Sequence, residues 1–284
     1  MTDPNGPTVR RRRLGSELRR LRGKLRLEDV GNELGCSASK VSRIENGQGL
    51  AKKIEIEAML RMFGVTDEHA REQILDIWRK AGESGWWEQA EYEAVLPSGL
   101  GVYVGLEYDA RMLQTWELGY VPGLLQTEAY ARAVLLDSWP GQIDEIERLA
   151  AVRTQRQQRL TAADDPLELW AVMDESVILR PVGGREVMRE QILHLLKAAQ
   201  MPNVNLQVYP LAKGVHPGLR GAFTILEFGS SDPRVVYVDN PSGNTFVERD
   251  RQVRRFTQKY DSLRAAALDP QESAALLRSA VKEY

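Results

Sequence analysis

The segment 27–47, LEDVGNELGCSASKVSRIENG, constrains this chain most, because its pattern predicts two short helices joined by a sharp turn. Apolar residues recur at helical spacing up to Gly35, which can take the left-handed conformation that ends a helix. Ser37 is a favoured N-cap residue and is expected to begin the second helix. Gly31 leaves space for a neighbouring element to approach the first helix closely.

The second helix of this segment has two different faces. Val41 and Ile44 are expected to be buried, which leaves a small, polar and cationic face made of Ala38, Ser39, Lys40, Ser42 and Arg43. A helix that enters the DNA major groove, about 12 Å wide, needs such a face, since bulky apolar side chains would block it. The alternative is an amphipathic helical hairpin with a purely architectural role.

This segment resembles the Cro/repressor-like (Xre-type) helix-turn-helix family in two places: the turn Leu34–Gly35–Cys36–Ser37 and the end Ile44–Glu45–Asn46–Gly47. The resemblance implies that Arg20 pairs with Glu45. It also implies base contacts by Ala38, Ser39 and Arg43, and phosphate contacts by Ser37, Lys40 and Asn46.

One departure from the family pattern is Leu27, where many relatives have a phosphate-binding glutamine; Arg26 is the expected substitute. Arg43 is the leading candidate for sequence specificity, because arginine can bond guanine O6 and N7 together. The expected DNA-binding residues are therefore Arg26, Ser37, Ala38, Ser39, Lys40, Ser42, Arg43 and Asn46.

The charge of the chain is unevenly distributed. The formal net charge is −2, yet residues 1–63 hold 14 Lys and Arg against 8 Asp and Glu, which leaves 24 against 32 in the rest. A basic module attached to an acidic one is typical of a protein that meets nucleic acid with one part only. The run Arg10–Arg13 is either a phosphate-binding arm or a solvated charge cluster.

Composition excludes several classes of protein. No apolar stretch approaches the roughly 20 residues of a membrane span, and no apolar segment follows Arg10–Arg13 as in a secretory signal. Cys36 is the single cysteine, which excludes an internal disulfide framework and fits a cytoplasmic location. Cys36 itself is interpreted as a small buried hydrophobe, with a redox-sensing thiol as the alternative.

The pattern along the chain predicts a multidomain protein, an all-α helix-turn-helix domain followed by an α+β domain. The expected divisions are a flexible arm over 1–9, a DNA-binding domain over 10–81, a connector over 82–101 and a regulatory domain over 102–284. The connector carries Trp86 and Trp87, which we expect to dock on a neighbouring domain, so that the connector is a partly ordered bridge.

Four or five short helices are expected from Leu14 to Ile77. The α+β region is expected to contain a small antiparallel or mixed sheet. Its predicted helices are 103–116, 127–136, 143–160, 186–199, 245–267 and 270–283, and its predicted strands are 167–179, 204–209, 222–228 and 235–239.

The second half also resembles a large group of actinobacterial regulators, in which an Xre-type domain precedes a domain of uncharacterised function. The resemblance runs through Gly105–Glu107, Leu113–Glu117, Val121–Thr127 and Tyr130–Ala131, and continues at Glu147–Arg148, Arg153, Glu175–Ser176 and Asp239. It implies a developmental or antibiotic-production regulator, often encoded beside a small partner protein in an antitoxin-like arrangement.

No enzymatic activity, cofactor or metal is expected. His69, His194 and His216 are too far apart for a metal-binding spacing, although His216 lies in a glycine-flanked loop that could border a pocket. Two roles are open for four residues of the second domain, which either line a pocket for a small effector or belong to the core: Trp116, Tyr120, Trp170 and His216. The alternative to effector binding is that the domain docks a protein partner. The expected function is a homodimeric, sequence-specific transcription regulator that binds double-stranded DNA; the alternative is an antitoxin-like protein that binds a small partner.

Overall fold

The computed structural model describes residues 9–83, 85–93, 95–97, 99–138, 142–229, 233–240 and 243–284. Nearly all of the predicted flexible arm, residues 1–8, lies outside the described residues. The chain divides into two compact units: one spans Met1–Gln89 and Gly99–Asp109, the other Ala90–Ser98 and Ala110–Tyr284. No described helix has the length and apolar character needed to cross a membrane. The domain limits drawn from the sequence stay a prediction.

The first part of the described chain is helical. Its helices are α1 Val9–Arg22, α2 Leu27–Glu33, α3 Ala38–Glu45, α4 Lys53–Met62, α5 Glu68–Gly82, α6 Ala90–Glu93 and α7 Leu100–Asp109. The elements that follow are β1 Met112–Glu117, α8 Glu128–Ser138, α9 Ile143–Gln157, β2 Glu168–Asp174, α10 Ser176–Leu179, α11 Arg185–Ala198, β3 Val204–Tyr209, β4 Phe223–Glu227, β5 Val235–Val238, β6 Thr245–Val247, α12 Asp250–Ala266 and α13 Pro270–Glu283.

Helices α1–α5 enclose the core of the first unit, as the helical spacing of their apolar residues predicts. The fully buried side chains come from each of the first four helices: Leu14, Leu18, Val30, Val41, Ile44, Ile56, Met59 and Leu60. Burying each of these aliphatic side chains contributes about 1.5–3 kcal/mol. The five expected helices are therefore confirmed, and their shared core holds the helix-turn-helix in place.

The arginine run is part of a helix, which corrects the expected helix start at Leu14. In the first turn of α1, Arg10 Nε donates to Asp109 Oδ1 at 2.8 Å and Arg10 Nη1 donates to Glu83 Oε2 at 2.9 Å. Cations at a helix N-terminus oppose the helix dipole, and these two carboxylates offset that cost. A phosphate that reached Arg10 would compete with these two carboxylates, so a phosphate-binding role of Arg10 stays a prediction.

Trp87 docks, but on α7 of its own unit and not on a neighbouring domain as the sequence predicts. Its side chain is buried, and its ring centroid lies 5.1 Å from that of Tyr108. A Cβ added to Gly105 would lie 3.2 Å from the same indole. The packing of Trp87 therefore requires a residue without a side chain on this face of α7.

The second unit is built on one six-stranded mixed sheet with the order β3-β2-β1-β4-β5-β6. Strands β1, β2 and β3 are parallel and are linked through helices, whereas β4, β5 and β6 continue as an antiparallel meander. The predicted fold class, a helical region followed by an α+β domain with a mixed sheet, is confirmed.

Three elements of this unit differ from the sequence prediction. The expected helix 103–116 ends at Asp109, and Met112–Glu117 is instead the strand β1, paired on both sides. The expected helix 245–267 begins only at Asp250, after the short strand β6. The expected strand 167–179 ends at Asp174 and continues as the short helix α10. A short apolar run in the sequence is compatible with a helix and with a strand, and pairing with neighbouring strands determines which of the two forms.

Replacing Gly15 tests how closely α1 and α3 approach. A Cβ at Gly15 would lie 2.4 Å from the backbone oxygen of Glu45 and 2.8 Å from that of Ile44. Alanine normally favours a helix over glycine by about 1 kcal/mol. Here we expect Gly15→Ala to lower the free energy of unfolding by about 1–3 kcal/mol, because the clash is with backbone that cannot rotate away.

Thermal unfolding followed by circular dichroism measures this effect. The matched control is Gly49→Ala, since a Cβ there meets nothing within 4 Å. Equal melting temperatures for Gly15→Ala and the parent chain would contradict the close approach.

Candidate nucleic-acid interface

The turn between α2 and α3 forms as the sequence predicts. Gly35 has φ +62°, and the Cys36 N–H donates to the Gly31 carbonyl at 2.8 Å. A Cβ at Gly31 would lie 2.7 Å from the Cys36 oxygen, so the turn folds back onto a helix face that only glycine can provide. The Ser37 hydroxyl accepts from the Lys40 N–H at 3.2 Å, which confirms Ser37 as the N-cap of α3.

The end of α3 is also set by a glycine. Gly47 has φ +71°, and the Gln48 N–H donates to the Arg43 carbonyl at 2.8 Å. This arrangement satisfies a carbonyl that the helix itself leaves open. Helix α3 is therefore a rigid segment capped at both ends, as a DNA-reading helix needs to be.

The two faces of α3 differ as expected. Val41 and Ile44 are buried in the core, whereas Ser39 and Arg43 are exposed. Within the described part of the chain, the Arg43 side chain makes no hydrogen bond or ion pair. Its guanidinium is available to a ligand.

Lys40 has a carboxylate partner that the sequence prediction did not include. Its Nζ lies 2.5 Å from Glu55 Oε1 of α4, and this hydrogen bond raises the pKa of Lys40. Burial acts to raise the pKa of Glu55, but the bonds from Lys40 and from the Lys52 N–H outweigh it and lower the pKa. A phosphate that reached Lys40 would compete with Glu55, so the predicted role of Lys40 stays a prediction.

The remaining predicted residues lie beside α3 or at the start of α2. Asn46, the C-cap of α3, accepts from Arg19 Nη2 at 2.7 Å, and its amide lies 3.4 Å from the Ser42 hydroxyl. Arg26, the N-cap of α2, is exposed and lies 3.5 Å from Glu28 Oε2. Ala38 is half-buried at the first position of α3. The structure thus places seven of the predicted residues on α3 or its caps, and Arg26 on α2.

The implied pairing of Arg20 with Glu45 is wrong. Glu45, whose side chain is 1% exposed, accepts from Arg22 Nε at 2.6 Å and from Arg19 Nε at 3.3 Å. Arg20 instead pairs with Glu17 on the outer face of α1 at 2.8 Å. Arg22 lies one turn after Leu18 on the buried stripe, whereas Arg20 is turned about 200° from Leu18 around the helix.

Sequence reasoning therefore missed Arg22 and Gly15, two of the residues through which α1 holds α3; Arg19 is a third. A signal for Arg22 was present in the spacing, because Leu14, Leu18 and Arg22 follow one another at four-residue intervals. No comparable local signal marks Gly15, whose neighbour in space is the end of α3.

Of the two alternatives for the aromatic residues of the second unit, the core is the one that Trp116 and His216 follow. Trp116 is fully buried and donates from Nε1 to the Gly218 carbonyl at 3.0 Å. His216 is buried with its ring centroid 5.0 Å from Trp116 and 4.6 Å from Tyr209. The idea of a pocket lined by Trp116, Tyr120, Trp170 and His216 is corrected, because Trp116 and His216 are packed into the core.

Polar groups gather where the parallel strands end. Asp174, the last residue of β2, accepts from the Ser176 hydroxyl at 2.5 Å and lies 3.6 Å from His216 Nε2. The carboxylate stands between the serine and the histidine, so His216 is not placed to take a proton from Ser176. Among the described residues, no group of three His, Cys, Asp or Glu side chains is arranged to hold a metal ion.

Glu117 ends β1 at the same edge of the sheet. Burial raises the pKa of Glu117 to about 7; a hydrogen bond from Thr115 opposes the shift, and the Asp239 carboxyl adds to it. Burial raises the pKa of Asp239 as well. The two carboxyls therefore hold protons more tightly than carboxyls in water do.

Two family models match the chain. Residues 13–73 match a helix-turn-helix domain, and residues 100–279, more than half of the chain, match a domain of unknown function (DUF5753). The chain belongs to the DUF5753 family. No curated protein and no solved structure shows a detectable similarity to it. The helix-turn-helix match and the exposed polar face of α3 together indicate that this DUF5753 protein binds DNA.

Replacing Arg22 tests the buried ion pair. We expect Arg22→Met to destabilise the first unit by about 3 kcal/mol, because removing one partner leaves the Glu45 carboxylate buried with Arg19 alone. Hydrogen exchange of peptides covering α1 and α3, followed by mass spectrometry, measures the loss locally. The matched control Arg20→Met should stay within about 0.5 kcal/mol of the parent, and a larger loss there than in Arg22→Met would restore the Arg20 pairing.

The raised pKa of Glu117 predicts a pH-dependent stability. The folded chain holds this proton more tightly than the unfolded chain, whose glutamate pKa is about 4.3. Stability therefore falls as pH rises from about 4 to about 7, and the full cost, up to about 3 kcal/mol, is present above that range.

We expect Glu117→Gln to raise the urea midpoint at pH 8 and to leave it unchanged near pH 4.5. Glu190→Gln, at an exposed position of α11, is the matched control and should show no such pH-dependent gain. A Glu117→Gln chain no more stable than the parent at pH 8 would contradict the shifted pKa.

Proposed function

We propose that this protein is an Xre-type transcription regulator that binds a specific DNA sequence as a homodimer in the cytoplasm. In this proposal α3 enters the major groove, and the DUF5753 domain senses a small molecule or docks a partner protein. The observation that carries the proposal is the outer face of α3, where Arg43 is exposed and its side chain has no partner in the described structure.

The face of α3 has the chemistry that base reading needs. Ala38 and Ser39 at its start are small, so the helix backbone can approach the base edges. Arg43 stands one turn later and can reach guanine with two parallel hydrogen bonds, a contact that discriminates by about 1–3 kcal/mol. In this assignment these three residues read the bases.

Cations around α3 supply the attraction to phosphate. Arg26, Lys52 and Lys53 are all exposed, and each lies at the start of a helix next to α3 in the chain, where phosphates also meet helix N–H groups. The proposed phosphate contacts are completed by four residues of α3 and its caps: Ser37, Lys40, Ser42 and Asn46. Because such contacts follow the backbone, they set the position of α3 without reading sequence.

The homodimer rests on a geometric argument. One recognition helix covers few base pairs, and two half-sites about one helical turn apart multiply the affinity. An inverted repeat is therefore the expected operator. Cross-linking or sedimentation of the protein bound to a single half-site and to the full repeat tests it.

The alternative is an antitoxin-like protein that holds a small partner and represses its own gene. The observation that favours it is the loop after β3, where Leu211, Val215 and Leu219 are exposed by 50%, 90% and 52%. Apolar side chains exposed together often mark a protein interface. Co-purification with the product of a small adjacent reading frame, lost in Val215→Asp, would favour this alternative. The proposal assigns no enzymatic activity in either case.

The test of the main proposal begins with genome-wide occupancy mapping and footprinting of the enriched site. On that site, we expect Arg43→Ala to cost about 1–3 kcal/mol of binding energy and to relax specificity at one base position. Lys40→Ala should instead weaken binding to all sequences alike, because a phosphate contact carries no sequence information. Binding to single-base variants of the site, measured by fluorescence anisotropy, separates the two effects.

Arg20→Ala is a suitable control, since Arg20 lies on the outer face of α1 and pairs there with Glu17. Unchanged affinity and specificity in both Arg43→Ala and Lys40→Ala would overturn the assignment of α3 as the recognition helix.

A further inference from the structure

Helix α12 of the second unit has one buried face and one strongly cationic face. Val253, Tyr260 and Leu263 pack into the core beneath the sheet. Arg251, Arg254 and Arg255 are exposed. At 100° per residue these arginines lie on the side of the helix opposite the buried residues. The cationic face is thus directed away from the sheet.

These arginines have no partner in the described chain. The side chains of Arg249, Arg251, Arg254 and Arg255 make no hydrogen bond or ion pair there. Elsewhere in the same unit arginines do find carboxylates: Arg132 with Glu128 and Glu147, Arg234 with Glu227, and Arg264 with Asp261. Arg148, Arg189, Arg220 and Arg278 also lack such a partner in the described chain, so what distinguishes α12 is that three unpaired arginines lie within five residues on one face of a helix.

The arrangement costs stability in the absence of a ligand. Arg251 and Arg255 are like charges at a spacing of four residues, and Arg255 and Lys259 repeat that spacing. Such pairs repel, and cations in the first turn of a helix oppose its dipole. An anion bound to this face would remove both costs.

The surface continues past the arginines along the helix. A shallow groove of about 550 Å³ runs beside α12. Its lining consists of polar and cationic side chains together with three apolar ones: Gln252, Arg255, Gln258, Lys259 and Ser262, with Pro217, Val247 and the half-buried Phe256. From Arg251 to Lys259 the helix rises about 12 Å. The nearest carboxylate of the helix is the exposed Asp250, next to Arg251 in the first turn; in the described chain it makes no ion pair with these arginines. Asp261, further along the helix, pairs with Arg264 at 3.7 Å.

We propose that the outer face of α12 binds the phosphate backbone of DNA without reading its sequence. Arginines, joined further along the helix by Gln258 and Ser262, are among the side chains that contact phosphates most often. The inference rests on the proposed function, since it assigns a second contact surface to a DNA-binding protein. Arginine matches phosphate oxygens with two parallel hydrogen bonds, which suits the three arginines of this face better than a set of lysines.

The shape of the face favours a polyanion over a protein. Tight protein interfaces are centred on apolar or aromatic anchors in closed pockets. Between Arg251, Arg254 and Arg255 the outer face of α12 offers no exposed apolar side chain in the described residues. A small anion would need a recessed site, and these arginines lie on a convex helix surface. A DNA backbone needs neither an apolar anchor nor a recessed site.

The test compares two triple variants of the full-length chain with equal charge. The first is Arg251→Gln/Arg254→Gln/Arg255→Gln. The control, Arg189→Gln/Arg278→Gln/Lys282→Gln, removes three exposed cations elsewhere in the same unit. Both are measured for binding to a random-sequence 40-base-pair duplex and to the footprinted site, at a series of salt concentrations.

We expect the α12 variant to lower the slope of log affinity against log salt by about 2–3, since each phosphate contact contributes about 0.9. Between 50 and 200 mM salt the advantage of the parent chain over the variant should therefore shrink by about 40-fold. The control should keep the parent slope on both duplexes. Circular dichroism should show the α12 variant melting no lower than the parent, because like charges have been removed.

Three results would overturn the proposal. The first is an α12 variant whose slope of log affinity against log salt equals that of the parent chain. The second is a control variant whose slope falls as much as that of the α12 variant. The third is polyglutamate that binds the parent as tightly as the random duplex and is lost in the α12 variant, because that would assign the face to an acidic protein.

The outcomes also separate this inference from the regulator proposal. In one outcome, the parent chain binds both duplexes equally and the salt slope falls in the α12 variant. This would contradict sequence-specific regulation and support the backbone contact of α12. In the other, the parent chain prefers the footprinted site and the α12 variant keeps the parent's salt slope, which would support regulation and contradict the backbone contact.

Discussion

The carboxylate of Glu45 lies at the end of α3, almost completely removed from water, and two arginines of α1 hold it. Arg22 and Arg19 donate to its two oxygens. A buried carboxylate is strongly destabilising without such partners, so only arrangements that bring α1 to the end of α3 are stable. Gly15 permits that approach, because no side chain separates α1 from the backbone of Glu45. The position of α3 in the unit depends on this contact.

The contact also determines which residues of α3 face outwards. With the helix end held against α1 and Val41 and Ile44 in the core, the rotation of α3 about its axis is fixed. Arg43 then has no core contact to make, although it precedes the buried Ile44 in sequence. The caps at Ser37 and Gly47 fix where the helix begins and ends. A side chain that reads DNA must be held within a fraction of an ångström, and these four constraints supply that precision.

Sequence reasoning succeeded where the deciding interactions are local. The caps of α3, the helix α13 and the strand β3 follow from residues within a few positions of one another. It failed at β1, because only the pairing with β2 and β4, more than fifty residues away along the chain, makes Met112–Glu117 a strand. Sequence alone could not decide between pocket and core for Trp116, because its partners His216 and Gly218 come from a distant loop. The family pattern assigns the pairing with Glu45 to Arg20, whereas the phase of α1 places Arg22 next to Glu45.

Two arginine clusters that look alike in sequence have different environments in the folded chain. The run that begins at Arg10 lies where Glu83 and Asp109 come together, and both carboxylates pair with Arg10. Arg11, Arg12 and Arg13 also have partners in the folded chain. The arginines of α12 lie on the outer face of their helix, where no carboxylate of the described chain bonds them. The number of cations in a segment therefore does not predict its affinity for a polyanion. What counts is the charge that remains unpaired after folding, and by that measure Arg43 and the outer face of α12 exceed the longer arginine run in α1.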